Sequence, residues 1–195
     1  MFKFFTIFII SFTLSFADDI LKDVWEKYDR SKHFKSWIDA DKDCQNTRDE
    51  VLIEESLIPV TFKDKKRCKV DSGMWYDLYS GKMFYSASKM DIEHVVSLKD
   101  AWMSGSQSWT FEKRKIFANY LFDTYHLLAV SYSENRSKGN KGPDKYLPSN
   151  DAFVKEYCRI YIRIKVKWNL TVTRDQLIAL QKVLGDEQIV YPKVR

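Results

Sequence analysis

The sequence predicts a single α+β domain, and three observations carry that expectation. Short runs rich in β-branched and aromatic residues, among them 69–75, 83–85 and 126–130, have the length of strands and are bounded by turn residues. Longer stretches toward the C-terminus repeat apolar residues at helical spacing. The chain has 195 residues, 45% apolar and 15% aromatic, which suits one closed core and excludes a disordered chain or a membrane bundle.

Residues 1–17 read as a secretory leader. Lys3 supplies the positive start, residues 4–14 are almost wholly apolar, and Ser15-Phe16-Ala17 places small residues at −3 and −1 of a cleavage site. The apolar run is too short to span a bilayer comfortably. The expectation is a signal peptide over 1–17 and one domain over 18–195, secreted or periplasmic, with no transmembrane segment after the leader is removed. Two of the three cysteines should pair in such a compartment. The Cys44–Cys68 disulfide is preferred because it closes a modest polar loop, and Cys158 falls on the apolar stripe of a helix.

In chain order, 18–28 has the periodicity of a helix, and His33 follows in a polar link. Residues 39–50 put carboxylates at loop positions 1, 3, 5 and 12, the ligand spacing of a calcium-binding EF-hand loop. Position 6 is Cys44 where such loops need glycine, and no clear helix pair frames the segment. The favoured expectation is a polar loop with Arg48 and Glu50 facing the site. Ca2+ on Asp39, Asp41, Asp43 and Glu50 is the lesser one. Residues 51–53 and 58–62 are expected as short strands, followed by strands over 69–75 and 83–85 with Gly81 at the turn between them. Residues 90–98 are expected as a further strand. Residues 98–103 start a helix, 110–122 form one, and Trp102 and Trp109 are expected in the core. After the strand at 126–130, Ser131 or Ser133 caps a short helix that carries Asn135. Residues 139–148 are a loop and 151–169 a strong amphipathic helix. In the last helix Thr173 and Gln176 form a capping box, Val172 and Leu177 staple its start, and Gly185 ends it.

Charge is unevenly spread. Residues 18–132 hold 18 basic and 20 acidic side chains, whereas 133–195 hold 13 and 7. The C-terminal third is therefore expected to present a basic surface suited to a polyanion.

The chemistry concentrates in Asp91-Ile92-Glu93-His94-Val95-Val96 and in Ser133-Glu134-Asn135-Arg136-Ser137-Lys138-Gly139. Hydrolysis of a phosphodiester needs a base that is neutral near pH 7, which a histidine of pKa about 6.5 provides. It also needs charge neutralisation, which a hard divalent cation on oxygen ligands provides. Glu93 offers a carboxylate and Asn135 an amide oxygen. Adjacent strand residues face opposite ways, so Glu93 and His94 can converge only if the strand bends or ends there.

These two segments, with His126-Leu127-Leu128-Ala129-Val130-Ser131 between them, resemble the three parts of an HNH (ββα-metal, or His-Me finger) nuclease. More closely, the chain resembles secreted HNH endonucleases related to the C-terminal nuclease domain of modification-dependent restriction enzymes. Residues 43–53, Leu98-Lys99-Asp100-Ala101-Trp102, 114–119 and 141–148 also look like that family. The resemblance implies a ββα-metal core with added N-terminal strands and C-terminal helices. It implies His94 as general base and Glu93 and Asn135 as ligands of one divalent metal, Mg2+ by default with Mn2+ able to substitute. His126 then occupies the place of the middle residue of the triplet, which helps orient the base. The chain departs from the family twice, with Glu93 where aspartate is usual and His126 where asparagine is usual. Asp91, Arg48, Glu50, Lys99, Arg136 and Lys138 are candidates for support of the site or phosphate contact. The implied activity is exported, metal-dependent DNA endonuclease, by a monomer, with an immunity protein as partner should the chain act as a toxin. The alternative is a catalytically weakened nucleic-acid-binding protein of the same fold.

Overall fold

A computed structural model of the protein describes residues 27–195. The leader and all but the last two residues of the helix expected at 18–28 lie outside the described residues. The architecture is α+β. A first short helix, α1 (Arg30–His33), is capped by Asp29, whose carboxylate accepts from the Ser31 and Lys32 amides. Phe34 follows it into the core.

Helix α2 (Thr47–Glu54) replaces the strand expected at 51–53. The β-branched run there favours a strand locally, but Asn46 accepts from the Arg48 and Asp49 amides at 3.1 and 3.3 Å and so starts a helix. Asp49 and Glu50 sit in its first turn, where the helix dipole favours negative charge. The bridge Cys44–Cys68 forms as expected and Cys158 is free and buried.

Strands β1 (Thr61–Phe62), β2 (Val70–Asp77) and β3 (Lys82–Ser86) form an antiparallel sheet in that order. The strand expected over 58–62 is thus reduced to two residues, after Pro59, which cannot donate to a ladder. The β2–β3 turn uses Gly81 at φ +68°, a conformation that costs an L side chain energy.

The second sheet is the pair β4 (Met90–His94) and β5 (Leu127–Ser131), antiparallel, with Glu93 opposite Leu128 and His94 opposite Leu127. The strand expected over 90–98 stops at His94, and Leu98 begins α3 (Leu98–Met103), capped by Ser97. Strand alternation divides this pair between two cores. Met90, Ile92, Leu127 and Ala129 pack with Val51, Leu52 and Trp75. Leu128 and Val130 pack on the other face with Trp102, Phe117, Tyr157 and Tyr161.

Helix α4 (Phe111–Ala118) ends before the expected 122. Helix α5 (Tyr132–Lys138) leaves β5 at once, capped by Ser131, and packs back on β4 and β5. Helices α6 (Asp151–Lys167) and α7 (Arg174–Leu184) close the larger core. The capping box on α7 is present, with Thr173 and Gln176 bonding each other's amides at 2.9 and 3.2 Å. No helix among the described residues is long and apolar enough to cross a membrane.

Part of the basic surface expected of the C-terminal third is taken up internally. Lys138 and Lys165 are fully buried. Arg159 pairs with Glu156 and Glu187, while Arg163 and Lys167 pair with Asp123.

Candidate active site

Because β4 ends at His94, the two faces of the strand meet around its end. A cavity of about 310 Å³ opens there, lined by Arg30, Trp37, Arg48, Asp91, Glu93, His94 and Asn135, with further contributions from Ser97, Gly139 and Asn140. Asp91 and Glu93 are two residues apart on β4 and so share a face, the one that carries α5 and Asn135. Helix α5 is short and directly follows β5, and this brings Asn135 over β4. The convergence expected of Glu93, His94 and Asn135 is therefore met.

Glu93 is 3% exposed and Lys138 is 0% exposed, and the Lys138 ammonium donates to Glu93 Oε1. It also donates to the His94 carbonyl at 3.1 Å. Burial pushes the Glu93 carboxyl up, and the adjoining ammonium opposes that shift. Lys138 is thus a partner of Glu93 and is withdrawn from any contact with phosphate.

His94 Nε2 lies 2.9 Å from the carbonyl oxygen of Ala118. A carbonyl only accepts, so Nε2 carries the proton and the lone pair belongs to Nδ1. Trp37 lies parallel to the imidazole, 5.2 Å between centroids at 9°. Burial lowers the His94 pKa to about 3, against the pull of the Ala118 carbonyl, so the ring is neutral at physiological pH. The fixed tautomer leaves the Nδ1 lone pair free to accept a proton, although burial makes the ring a weaker base than a free histidine.

His126 does not line the cavity. Its ring is enclosed by Phe117, Tyr120 and Trp168 at 4.7, 5.4 and 5.9 Å. Its Nε2 faces the Phe117 carbonyl at 2.7 Å, while Nδ1 is buried without a partner. Burial lowers its pKa to about 4. The two histidines therefore bond neighbouring carbonyls at the C-terminal end of α4. His126 also acts on His94 directly through its charge, which lowers the His94 pKa.

The remaining candidates separate. Arg48 lines the cavity but donates to the Ala87 and Met90 carbonyls at 2.9 and 2.8 Å, bracing the start of β4. Asp91 and Asn135 line the cavity and make no side-chain hydrogen bond or ion pair with another described residue. Arg136 lies over Tyr132 at 4.9 Å and is exposed. Lys99 does not line the cavity. Glu50 lines a different cavity, with Glu54, Glu55 and Asp123, and so does not face the site. Burial, then the charges of Asp41, Asp43 and Asp39, push its carboxyl up. The carboxylates of Asp39, Asp41 and Asp43 lie within 4.8 Å of one another, all exposed. They accept from the amides of Cys44, Asp43 and Gln45, so the loop is organised by its own backbone. Cys44 adopts φ +77° at the position where an EF-hand has glycine. Glu50 does not join the cluster of three.

Three participants escaped the sequence reading. The Ala118 carbonyl is a backbone group and leaves no mark in sequence. Trp37 and Arg30 lie far from both motifs, and only tertiary packing brings them to His94.

The donor set of the cavity is two carboxylates and one amide, hard oxygen ligands that fit Mg2+ or Mn2+. Asp91 and Asn135 have no side-chain partner among the described residues, which leaves their oxygens available to a cation.

Residues 46–183 match the family described as GmrSD restriction endonucleases, C-terminal domain. An uncharacterized secreted protein of Arthroderma benhamiae is 36% identical over 158 residues, which covers 81% of this chain and 74% of that protein. No solved structure matches the chain.

Proposed function

The chain belongs to the family of GmrSD restriction endonuclease C-terminal domains, a nuclease family, and from that premise we propose that it is an exported, metal-dependent DNA endonuclease. In this reading β4, β5 and α5 are a ββα-metal core, and Asp91, Glu93 and Asn135 hold one divalent cation. Such a cation, when bound, neutralises charge on the scissile phosphate and on the leaving oxygen.

His94 accepts a proton from water at Nδ1, since Nε2–H is engaged by Ala118. The activated water then attacks phosphorus in line, leaving 5′-phosphate and 3′-hydroxyl ends. Trp37 keeps the ring in plane, and Arg30, on the cavity wall, adds positive charge toward the substrate. Lys138 sets a positive charge against the Glu93 carboxyl and opposes the upward shift that burial imposes. Export over a leader at 1–17, with a mature domain over 18–195, is supported by the secreted relative and by the Cys44–Cys68 bridge.

The observation that carries this reading is the fixed His94 tautomer on the same cavity as two carboxylates and a free amide. The test is plasmid cleavage in Mg2+ or Mn2+, with and without EDTA. The expected result is cleavage that EDTA stops and that falls by at least about a hundredfold in His94→Ala, the scale of a lost general base. A His94→Ala protein that cuts as well as wild type sinks the mechanism.

One observation favours a second reading, nucleic-acid binding with little cleavage. Lys138 already occupies one oxygen of Glu93, which reduces the charge left for a metal. In that case the protein binds DNA in a salt-sensitive way and does not nick it in either metal.

A further inference from the structure

A second groove, of about 520 Å³, adjoins the catalytic cavity and shares Arg30, Trp37, His94 and Leu98 with it. Its remaining wall is the strap from Arg30 to Trp37, which contributes Lys32 and Lys35, faced by Phe111. We infer that this groove holds an unpaired nucleic-acid strand beside the scissile phosphate. The inference rests on the nuclease reading of the adjoining cavity and names the form of its substrate.

Charge supports it first. Arg30, Lys32 and Lys35 are exposed within six residues of one another. Among the described residues the carboxylate in an ion pair with them is Asp29, 3.6 Å from Lys32 and partly exposed, a pairing too weak to cancel the patch. These are cations on the rim of the site, whereas in the C-terminal third Lys138 and Lys165 are buried and Arg159, Arg163 and Lys167 are in ion pairs.

Rigidity supports it next. Phe34 anchors the strap in the core at 2% exposure, and His33 stacks on Trp102 at 4.0 Å and 20°. Arg114 donates to the His33 carbonyl at 3.0 Å, and the Ile38 amide donates to Asn119 at 3.1 Å. The lysines are therefore presented from a fixed backbone, which lowers the entropic cost of binding.

The shape selects an unpaired strand. His94 is only 7% exposed, at the bottom of a small cavity, so the phosphate must descend to it. A flexible single strand can bow into that recess, whereas a duplex must first be deformed. Phe111, 42% exposed on the groove wall, offers a ring face, and only an unpaired base can stack on it. The strap lies just ahead of the segment 46–183 that matches the family.

The test is binding of a fluorescein-labelled 12-nucleotide DNA, single-stranded or as a duplex, by anisotropy in EDTA across a salt series. Two phosphate contacts on a single strand are worth about 1.4 in the slope of log K against log salt, or roughly 25-fold between 1 M and 0.1 M salt. Lys32→Ala/Lys35→Ala should flatten the slope by about that much, and Phe111→Ala should weaken binding roughly tenfold at fixed slope. Lys63→Ala/Lys65→Ala removes equal charge from a distant exposed loop and should stay within about twofold of wild type. Equal losses in the two lysine pairs, tighter binding of duplex than of single strand, or no binding by wild type each overturn the inference. Binding in EDTA involves no cleavage, so the plasmid assay on His94→Ala judges the nuclease reading separately.

Discussion

Replacing Lys138 by methionine removes a buried charge while nearly keeping the volume of the side chain. Glu93 is then left 3% exposed with no cation against it, and the His94 carbonyl loses the donor at 3.1 Å. Removing one partner of a buried ion pair costs about 3–5 kcal/mol. For a chain of this size each kcal/mol lowers the melting temperature by about 2–4 °C, so Lys138→Met should melt about 6–20 °C below wild type. The double variant Glu93→Gln/Lys138→Met removes both charges and should recover at least half of that loss, because a neutral amide is far cheaper to bury than a lone carboxylate. Thermal unfolding followed by circular dichroism, on wild type, both single variants and the double, gives the coupling directly. A melting temperature within about 3 °C of wild type for Lys138→Met would refute the claim that Lys138 neutralises Glu93.

Two further outcomes follow from the scaffold. The Cys44–Cys68 bridge spans 24 residues of sequence, so Cys44→Ala/Cys68→Ala should lose about 3.5 kcal/mol by the chain-entropy relation, read from urea unfolding; a loss under about 1 kcal/mol contradicts it. Glu55 accepts from the Ala129 amide through Oε2, its Oε1 is buried without a partner, and burial raises its pKa to about 8. The folded state therefore holds a proton that the unfolded chain releases near pH 4.3, so the wild type loses stability as pH rises from there until about 8. Glu55→Gln, which does not titrate, should gain on wild type across that window and hold a constant lead above it. Melting temperatures that run parallel from pH 5 to 9 would contradict the assignment.

Much of this molecule is legible in its sequence where local and tertiary preferences agree. The Thr173–Gln176 box, the periodicity of 151–169 and the cap at Ser131 each state an element whose packing then ratifies it. Asp91 and Glu93 are readable as one face of a strand, and Asn135 as the residue returned over it, because a strand followed at once by a capped helix leaves little freedom. Residues 51–53 show the opposite case. Three branched or large apolar residues favour a strand, yet the cap at Asn46 and the packing of Val51 and Leu52 in the smaller core make them a helix. Lys138 was illegible for another reason. A lysine between exposed Arg136 and Gly139 looks solvated, and only the return of α5 onto β4 buries it against Glu93. The charge of the C-terminal third is legible only in part, since a count of cations is blind to the burial of Lys138 and Lys165 and to the pairing of Arg159, Arg163 and Lys167. The place of His126 in the triplet leaves open whether it orients the base, binds metal or packs, and the structure encloses it among Phe117, Tyr120 and Trp168 with Nε2 at the Phe117 carbonyl, on the helix end that His94 also bonds.

That helix end has a consequence for how the site can change. The oxygen ligands proposed here stand on β4 and α5, whereas the proposed proton acceptor, His94, takes its bearing from Ala118, at the end of α4. The two functions are thus referenced to different pieces of scaffold. Small rotations of α4 would re-aim the imidazole without disturbing the oxygens, and residues 98–118, which supply no oxygen ligand to the cavity, become a mechanical adjustment on the base alone. Substitutions packed around Phe117 and Trp168 therefore have a route to the rate of proton removal that leaves cation affinity untouched.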